Sequence, residues 1–420
     1  MTGALRRALH EMAGGLPRTY WVLWVGTLVN RLGSFVVPFL ALYLTRERGF
    51  SVERAGLTVS LYGLGAVIAS PLGGMLADRV GRRITLAGGL WLGSVGMLCL
   101  GFAREPAVIA AAAFGLGIVG EIYRPAVSAA VADVVSPEDR QRAFGLLYWV
   151  INVGFAVALP LAGLMVRYGY LTLFIADAIT TFTYGCCIWL LLPETRPARP
   201  SPSSSDTPAP GAGSALLAPF LDPSFVAFAV PYFGVALIFY QSQVSLPLAL
   251  GARGLTEAQF GAVLSVNGLL IVALQPFTHP VLRRLRRAQA LALAAVLTGV
   301  GFGLHALTGH VALAALAVAI WTLGEMAQAP VAPSVVADLA PSALRGSYQG
   351  AYHMLWGLAS SAAPALGGWV LGRFGTSSLW LGCLVLGLGC AVWQLAIAGA
   401  RRRRLDSQRA VRTDLSPLVD

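Results

Sequence analysis

The sequence predicts an all-α membrane protein: twelve transmembrane helices in two pseudo-symmetric six-helix bundles. Three observations lead there. Of 420 residues, 56% are hydrophobic and 12% charged, with a mean hydropathy of +0.70. A soluble domain carries roughly 25% charged residues and could not bury this much apolar surface, whereas a bilayer accepts it on every outer face. The apolar residues come in runs of about twenty, the length that crosses a hydrocarbon core. Charged and helix-breaking residues also repeat at an offset near 205.

In chain order, the first predicted span covers 20–44 and stops at Arg46 and Arg48. The second, 55–77, ends in the charged turn Asp78-Arg79, and the third, 84–103, starts after Arg82-Arg83. The fourth covers 107–133, the fifth 143–166 and the sixth 170–192, which Pro193 closes. The seventh to tenth cover 223–250, 257–281, 289–308 and 311–338. The eleventh and twelfth cover 347–371 and 376–399, and the run Arg401 to Arg404 ends the series.

The arginines orient these spans. All 30 basic residues are Arg. With the N-terminus inside, 21 of them (including Arg6, Arg7, Arg18, Arg140, Arg142, Arg283, Arg345 and Arg412) fall on the cytoplasmic side. Seven fall outside, and Arg31 and Arg124 lie within spans. The excess of positive charge places both termini in the cytoplasm. The formal net charge of +11 raises the question of nucleic acid. The arginines sit in short turns between apolar spans, however, so anionic lipid headgroups are the expected partner. Cys99, Cys186, Cys187, Cys383 and Cys390 all lie in apolar segments without metal or disulfide spacing and read as small hydrophobes. The basic N-terminus leads straight into a span too long for a signal sequence.

Residues 193–219 are rich in proline, serine and glycine, the composition of a flexible linker. The predicted division is a first bundle over 1–192, a cytoplasmic linker over 193–219, a second bundle over 220–400 and a basic tail over 401–420. A shift of 205 lays Ala132-Asp133 on Ala337-Asp338, Arg140 on Arg345, Gly145 on Gly350 and Pro71 on Pro276; Arg79 to Arg82 fall on Arg284 to Arg287. A shift of 204 lays Gly120-Glu121 on Gly324-Glu325 and Pro160 on Pro364. Such parallel repeats describe two halves related by an axis along the membrane normal.

The turn after the second span reads Gly73-Gly74-Met75-Leu76-Ala77-Asp78-Arg79-Val80-Gly81-Arg82-Arg83. This charged turn between two apolar segments marks the water side of a membrane hairpin. The pattern G-x-L-A-D-R-x-G-R-R, displaced by one residue at its first glycine, closely resembles the signature of the major facilitator superfamily (MFS). The resemblance extends over about 15–400. It implies the MFS fold, transport by alternating access, no cofactor or metal, and a monomer in the cell membrane of a bacterium. In that family the turn latches the two halves on the cytoplasmic side. The resemblance therefore implies a latch role for Gly74, Asp78, Arg79, Gly81, Arg82, Arg83 and Arg140, with Asp78 facing Gly346 and Ser347 near Arg140 or Arg142. An acid there can also cap the positive start of another helix. In the second copy, Arg283 stands at the Asp78 position.

An ionised group in the bilayer core costs several kcal/mol unless it meets water or a partner. Five such groups lie towards the middle of spans: Arg31, Glu121, Arg124, Asp177 and Glu325. The resemblance implies a central cavity lined by the first, fourth, seventh and tenth helices, which carry four of the five. Glu121 and Arg124 are three apart and share a helix face. Glu325 is the repeat mate of Glu121 without a basic neighbour one turn away, so it is the leading candidate for proton coupling, with Glu121 second. Arg31, beside Asn30, is a candidate for an anionic group or for neutralising either glutamate. Asp177 reads as a packing and hydrogen-bonding residue.

Candidate substrate contacts are Tyr232, Tyr240 and Gln241 in the seventh span, with Asn152, Trp321, Gln328, His353 and Trp356; Gln243 and Asn267 are further polar positions. An aromatic-rich pocket suits amphipathic or cationic organic molecules. The sequence shows neither a Walker-type glycine loop nor a Ser/His/Asp constellation, which argues against ATP drive and against an enzyme. The stretch from Gly324-Glu325 to Arg345-Gly346-Ser347-Tyr348 resembles bacterial multidrug/proton antiporters, which implies proton-coupled export of small organic molecules. The antiporter motif G-P-x-x-G-G is only partly present at Ala158 to Gly163, and better at Ala363 to Gly368. Two other readings remain. Arg31, Arg124-Pro125 and Tyr148 to Gly154 resemble peptide symporters, without the acidic residues that precede the first arginine there. A non-transporting membrane sensor on the same fold is the third.

Overall fold

The computed structural model describes residues 14–196, 212–243, 245–255, 257–307 and 310–399. Arg6 and Arg7, residues 197–211 of the linker and the tail from 401 lie outside the described residues. All regular structure within the described residues is helical. Eleven helices are long and apolar enough to cross a membrane.

The helices are α1 (Arg18–Leu32), α2 (Val36–Arg46), α3 (Val52–Arg79), α4 (Arg82–Phe102), α5 (Pro106–Glu121), α6 (Tyr123–Val134), α7 (Arg140–Met165) and α8 (Leu171–Leu191). After the linker come α9 (Ala212–Leu221), α10 (Pro223–Phe239), α11 (Ser245–Ala252), α12 (Glu257–Leu274), α13 (His279–Leu282), α14 (Arg287–Leu304), α15 (Val311–Leu339) and α16 (Arg345–Ala396). The last is 52 residues long and is interrupted by non-helical backbone at Gly375, φ +81°. The spans predicted at 347–371 and 376–399 lie on either side of Gly375, and the count of eleven takes them together.

The chain forms two compact units. Of the described residues, the first contains 14–196, 212–219, 271–276 and 341–358; the second contains 220–243, 245–255, 257–270, 277–307, 310–340 and 359–399. In the first, Phe35, Leu40, Tyr43, Leu100, Leu116 and Phe174 form an apolar core. Glycines let its helices touch. A Cβ on Gly65 would strike the backbone of Phe114 and Ile118, and one on Gly117 the backbone of Tyr62. Small residues substitute for a hydrophobic driving force in lipid, where close van der Waals contact holds helices together.

The second unit has its core around Leu246, Val318, Phe302, Trp321 and Trp380. There Gly301 admits Trp321, and Gly324 admits Thr298. At the α14–α15 turn, Arg253 donates to the carbonyls of His305 (2.6 Å) and Ala306 (3.1 Å). His305 is fully buried beside Phe302 and Trp380. Burial, and then the charge of Arg253, pushes its pKa down from 6.5 to about 4. Outside both cores large apolar side chains stand exposed, among them Leu57, Leu190, Val385 and Val392, each more than 60%. Such surfaces are stable against hydrocarbon, and the protein is a multi-pass membrane protein.

Three elements differ from the sequence expectation. The first span is not one continuous helix. It breaks at Gly33-Ser34-Phe35, where the Asp177 carboxylate accepts from the amides of Phe35 (3.1 Å) and Val36 (3.0 Å) and so replaces helical partners. The seventh span ends early, in a 3₁₀ turn at Tyr240–Ser242. Residues 212–219, read as flexible linker, belong to helix α9; its sequence AGSALLAPFL is apolar and alanine-rich, unlike the stretch before it.

Candidate functional site

In the first unit the in-span glutamate is Glu121, the last residue of α5. Pro125 sits four residues on. Its missing N–H leaves the Glu121 carbonyl without a helical donor, and the helix restarts at Tyr123. Glu121 Oε2 lies 2.5 Å from Arg124 Nε, and Tyr62 on α3 donates its hydroxyl to Glu121 Oε1 at 2.8 Å. The Arg124 side chain is 42% exposed and that of Glu121 12%, so the pair presents a guanidinium to open space above a nearly covered carboxylate. Ser128, one helical turn on from Arg124, meets His353 Nε2 at 3.0 Å.

In the second unit Glu325 on α15 accepts from Asn267 Nδ2 of α12 at 2.8 Å, and the same amide reaches Thr322 Oγ1 at 3.1 Å. The offset of 205 that lays Pro71 on Pro276 in the same spans lays Tyr62 on Asn267, while the glutamates match at 204. Each in-span glutamate is thus held by a neutral donor from the corresponding position of the corresponding helix. A phenol serves in one copy and an amide in the other.

Arg31 belongs to a buried polar chain. Its Nη2 donates to Tyr123 Oη at 2.5 Å, and Tyr123 donates to Asn30 Oδ1 at 3.2 Å. Asn30 Nδ2 donates to Thr181 Oγ1 at 2.9 Å, and Thr181 donates to Asp177 Oδ1 at 3.3 Å. The guanidinium also lies over Phe155, 5.4 Å from the ring centroid. Within the first unit Glu121 pairs with Arg124, and among the described residues Arg31 is in no ion pair.

The charged turn forms a second cluster in the first unit. Asp78 accepts from the amides of Gly346 (2.8 Å) and Ser347 (2.7 Å) and from Ser347 Oγ (2.7 Å), capping the start of α16. Gly74 makes room, since a Cβ there would strike the Gly346 backbone. The guanidinium at Asp78 is that of Arg82 (2.8 Å), which also reaches Asp133 at 2.9 Å; Arg345 meets the other oxygen of Asp133 at 2.5 Å. Arg140 donates to Ala132 O, and Arg142 pairs with Asp139. Gly81, φ +118°, turns the chain so that Glu194 accepts from the amides of Arg82 and Arg83. Arg83 stacks on Trp189, and Arg196 donates to the carbonyl of Arg79. The second unit repeats part of this: Arg287, at the Arg82 position, pairs with Asp338, at the Asp133 position.

Most of the remaining candidates have partners within their own units. Tyr232 stacks on Phe228 in the interior, and Trp321 packs among Phe239 and Phe302. Gln241 donates to Ala363 O and accepts from Ser245. Asn152 bonds to its own helix at Tyr148 O. Tyr240 contacts Phe239, His353 contacts Tyr352, Gln328 is buried and Trp356 half-buried. Sequence reasoning missed Tyr62, Tyr123, Asp133 and Glu194 as partners. The repeat offset carries a signal for Tyr62, since it lands on a polar residue.

A family profile described as Major Facilitator Superfamily matches residues 23–364 and 243–419. The chain belongs to the Major Facilitator Superfamily. Among its MFS relatives is the uncharacterised MFS-type transporter YttB of Bacillus subtilis, 25% identical over 88% of this chain and 93% of that protein. A Na(+), Li(+), K(+)/H(+) antiporter of Planococcus maritimus is 25% identical over 78% and 84%. The multidrug resistance protein MdtH of Aeromonas hydrophila is 25% identical over 79% and 82%. The fold is shared with a bacterial homologue of the iron transporter ferroportin in an outward-facing state (TM-score 0.74, 17% identity, 91% of this chain and all of the other). It is shared as well with the human organic anion transporter MFSD10 (TM-score 0.71, 18% identity, 90% and all).

Proposed function

We propose that this MFS protein is a proton-coupled exporter of small organic molecules, working as a monomer with twelve spans and both termini in the cytoplasm. The observation that carries the reading is the pair of repeat-related in-span glutamates, each held by a donor at the equivalent position of the neighbouring helix. Relatives named as multidrug resistance protein and cation/proton antiporter support exchange against protons.

Glu325 is the proton carrier in this scheme. Asn267 can donate to its carboxylate and, by turning its amide, accept from its carboxylic acid, so both protonation states keep a partner. Glu121, tied to Arg124, is the second acid. Its protonation would release the half-exposed guanidinium. Proton uptake from outside and substrate binding from inside would then alternate, one cycle moving both. Asp78, with Arg82 and Asp133, is the latch that holds one end of the cycle.

Proteoliposomes with an imposed pH gradient test this. Inward protons should drive outward movement of an organic cation, and Glu325→Gln should abolish the pH-driven component. Unchanged pH-driven movement in Glu325→Gln removes the carrier assignment. Accumulation in the same direction as protons would replace export by uptake.

A further inference from the structure

An apolar groove of about 370 Å³ runs along the outside of the first unit between α1 and α8. Val25 and Val29 form one wall, and Leu191 and the face of Tyr184 the other. Val25 is 50% exposed and Leu191 61%, so the groove opens sideways. On the inner side Tyr184 is fully buried, packs against Gly26 and donates to the carbonyl of Leu23.

At one end stands Arg18, exposed, with no hydrogen bond or ion pair among the described residues. Trp21 borders the groove at the same level, the aromatic type favoured where hydrocarbon meets headgroups. From Arg18 to Val29 the helix rises about 17 Å, and one leaflet contributes about 15 Å of hydrocarbon. The groove therefore starts at an exposed cation at the membrane surface and ends near the midplane.

We propose that this groove is a binding site for one anionic phospholipid of the arginine-rich leaflet, with an acyl chain along Val25 and Val29 and the headgroup phosphate on Arg18. The groove supplies apolar contact over the depth of a single chain, and the exposed guanidinium, without an ion pair among the described residues, supplies the selectivity for negative charge. A zwitterionic lipid would fill the same groove without that preference. None of the residues lining the groove is one of the glutamates or belongs to the Asp78 cluster.

The test is native mass spectrometry of the purified, delipidated full chain, offered equal amounts of phosphatidylglycerol and phosphatidylethanolamine with identical chains. Wild type should retain one phosphatidylglycerol at least fivefold over phosphatidylethanolamine. Arg18→Lys should keep that preference, Arg18→Gln should reduce it to parity, and Val25→Trp or Leu191→Trp, which fill the groove from opposite walls, should remove the bound lipid altogether. Parity in wild type, an unchanged preference in Arg18→Gln, or full retention in both tryptophan variants would overturn the proposal. So would loss of transport in the tryptophan variants with lipid retention intact, which would make the groove a substrate entry instead.

Discussion

Asp133 carries two guanidinium groups, those of Arg82 and Arg345, and is itself almost fully buried. Its repeat mate Asp338 pairs with Arg287, whose side chain is about a quarter exposed. Removing one partner from a buried pair costs roughly 3–5 kcal/mol, and water screens the more open pair. Asp133→Asn should therefore lower the thermal midpoint of the purified protein by clearly more than Asp338→Asn; equal losses would contradict the bridging role. Asp78→Asn should leave expression intact and cut transport at least tenfold in proteoliposomes, and a normal rate would remove the latch. His305 gives the pH dependence. Its folded pKa is about 4 against 6.5 for the unfolded chain, so the unfolded state takes up the proton first. Stability is unaffected above about pH 6.5 and falls as pH drops towards 4, by roughly 3 kcal/mol in all. His305→Phe should flatten that slope in melts recorded from pH 7 to 4. At this scale the sequence was partly legible. Charge in hydrocarbon singled out Arg31, Glu121, Arg124 and Glu325 unaided, and Asp78 came through the resemblance. Tyr123 did not, because a tyrosine in an apolar run looks like packing until its hydroxyl is seen between Asn30 and Arg31.

Among the elements, α3 and α5 approach so closely that two glycines two positions apart have opposite tolerance. A methyl on Gly117 would enter the Tyr62 backbone, whereas one on Gly115 meets nothing within 4 Å. Gly117→Ala should lower the melting temperature and shift the pH profile of transport, because Tyr62 positions Glu121. Gly115→Ala should be neutral or slightly stabilising, as helix propensity gives ~1 kcal/mol for such a change. Similar outcomes for the two would show that the contact can relax. Long apolar runs and their polar stops were readable from composition, since hydrocarbon thickness dictates them. The break at Gly33-Ser34-Phe35 was not, because it depends on Asp177, some 140 residues away, arriving at two free amides.

Over the whole molecule, the recurrence of charged and proline residues at offsets of 205 and 204 was legible. Which segments each compact unit gathers was not, since residues 271–276 and 341–358 join the first unit through contacts distant in sequence. Orientation is open to direct check: a green fluorescent protein fused to the C-terminus should fluoresce, and alkaline phosphatase fused after Arg104 should be active, while the reverse pattern would invert the topology. Glu194 adds a mechanical consequence. Its carboxylate grips the amides of Arg82 and Arg83 just where the chain leaves α8, and Arg196 holds the carbonyl of Arg79. The chain leaving α8 is thus moored at Glu194 and Arg196 to the bend that follows Asp78, so a shift of that bend and a shift of the α8 end are one movement.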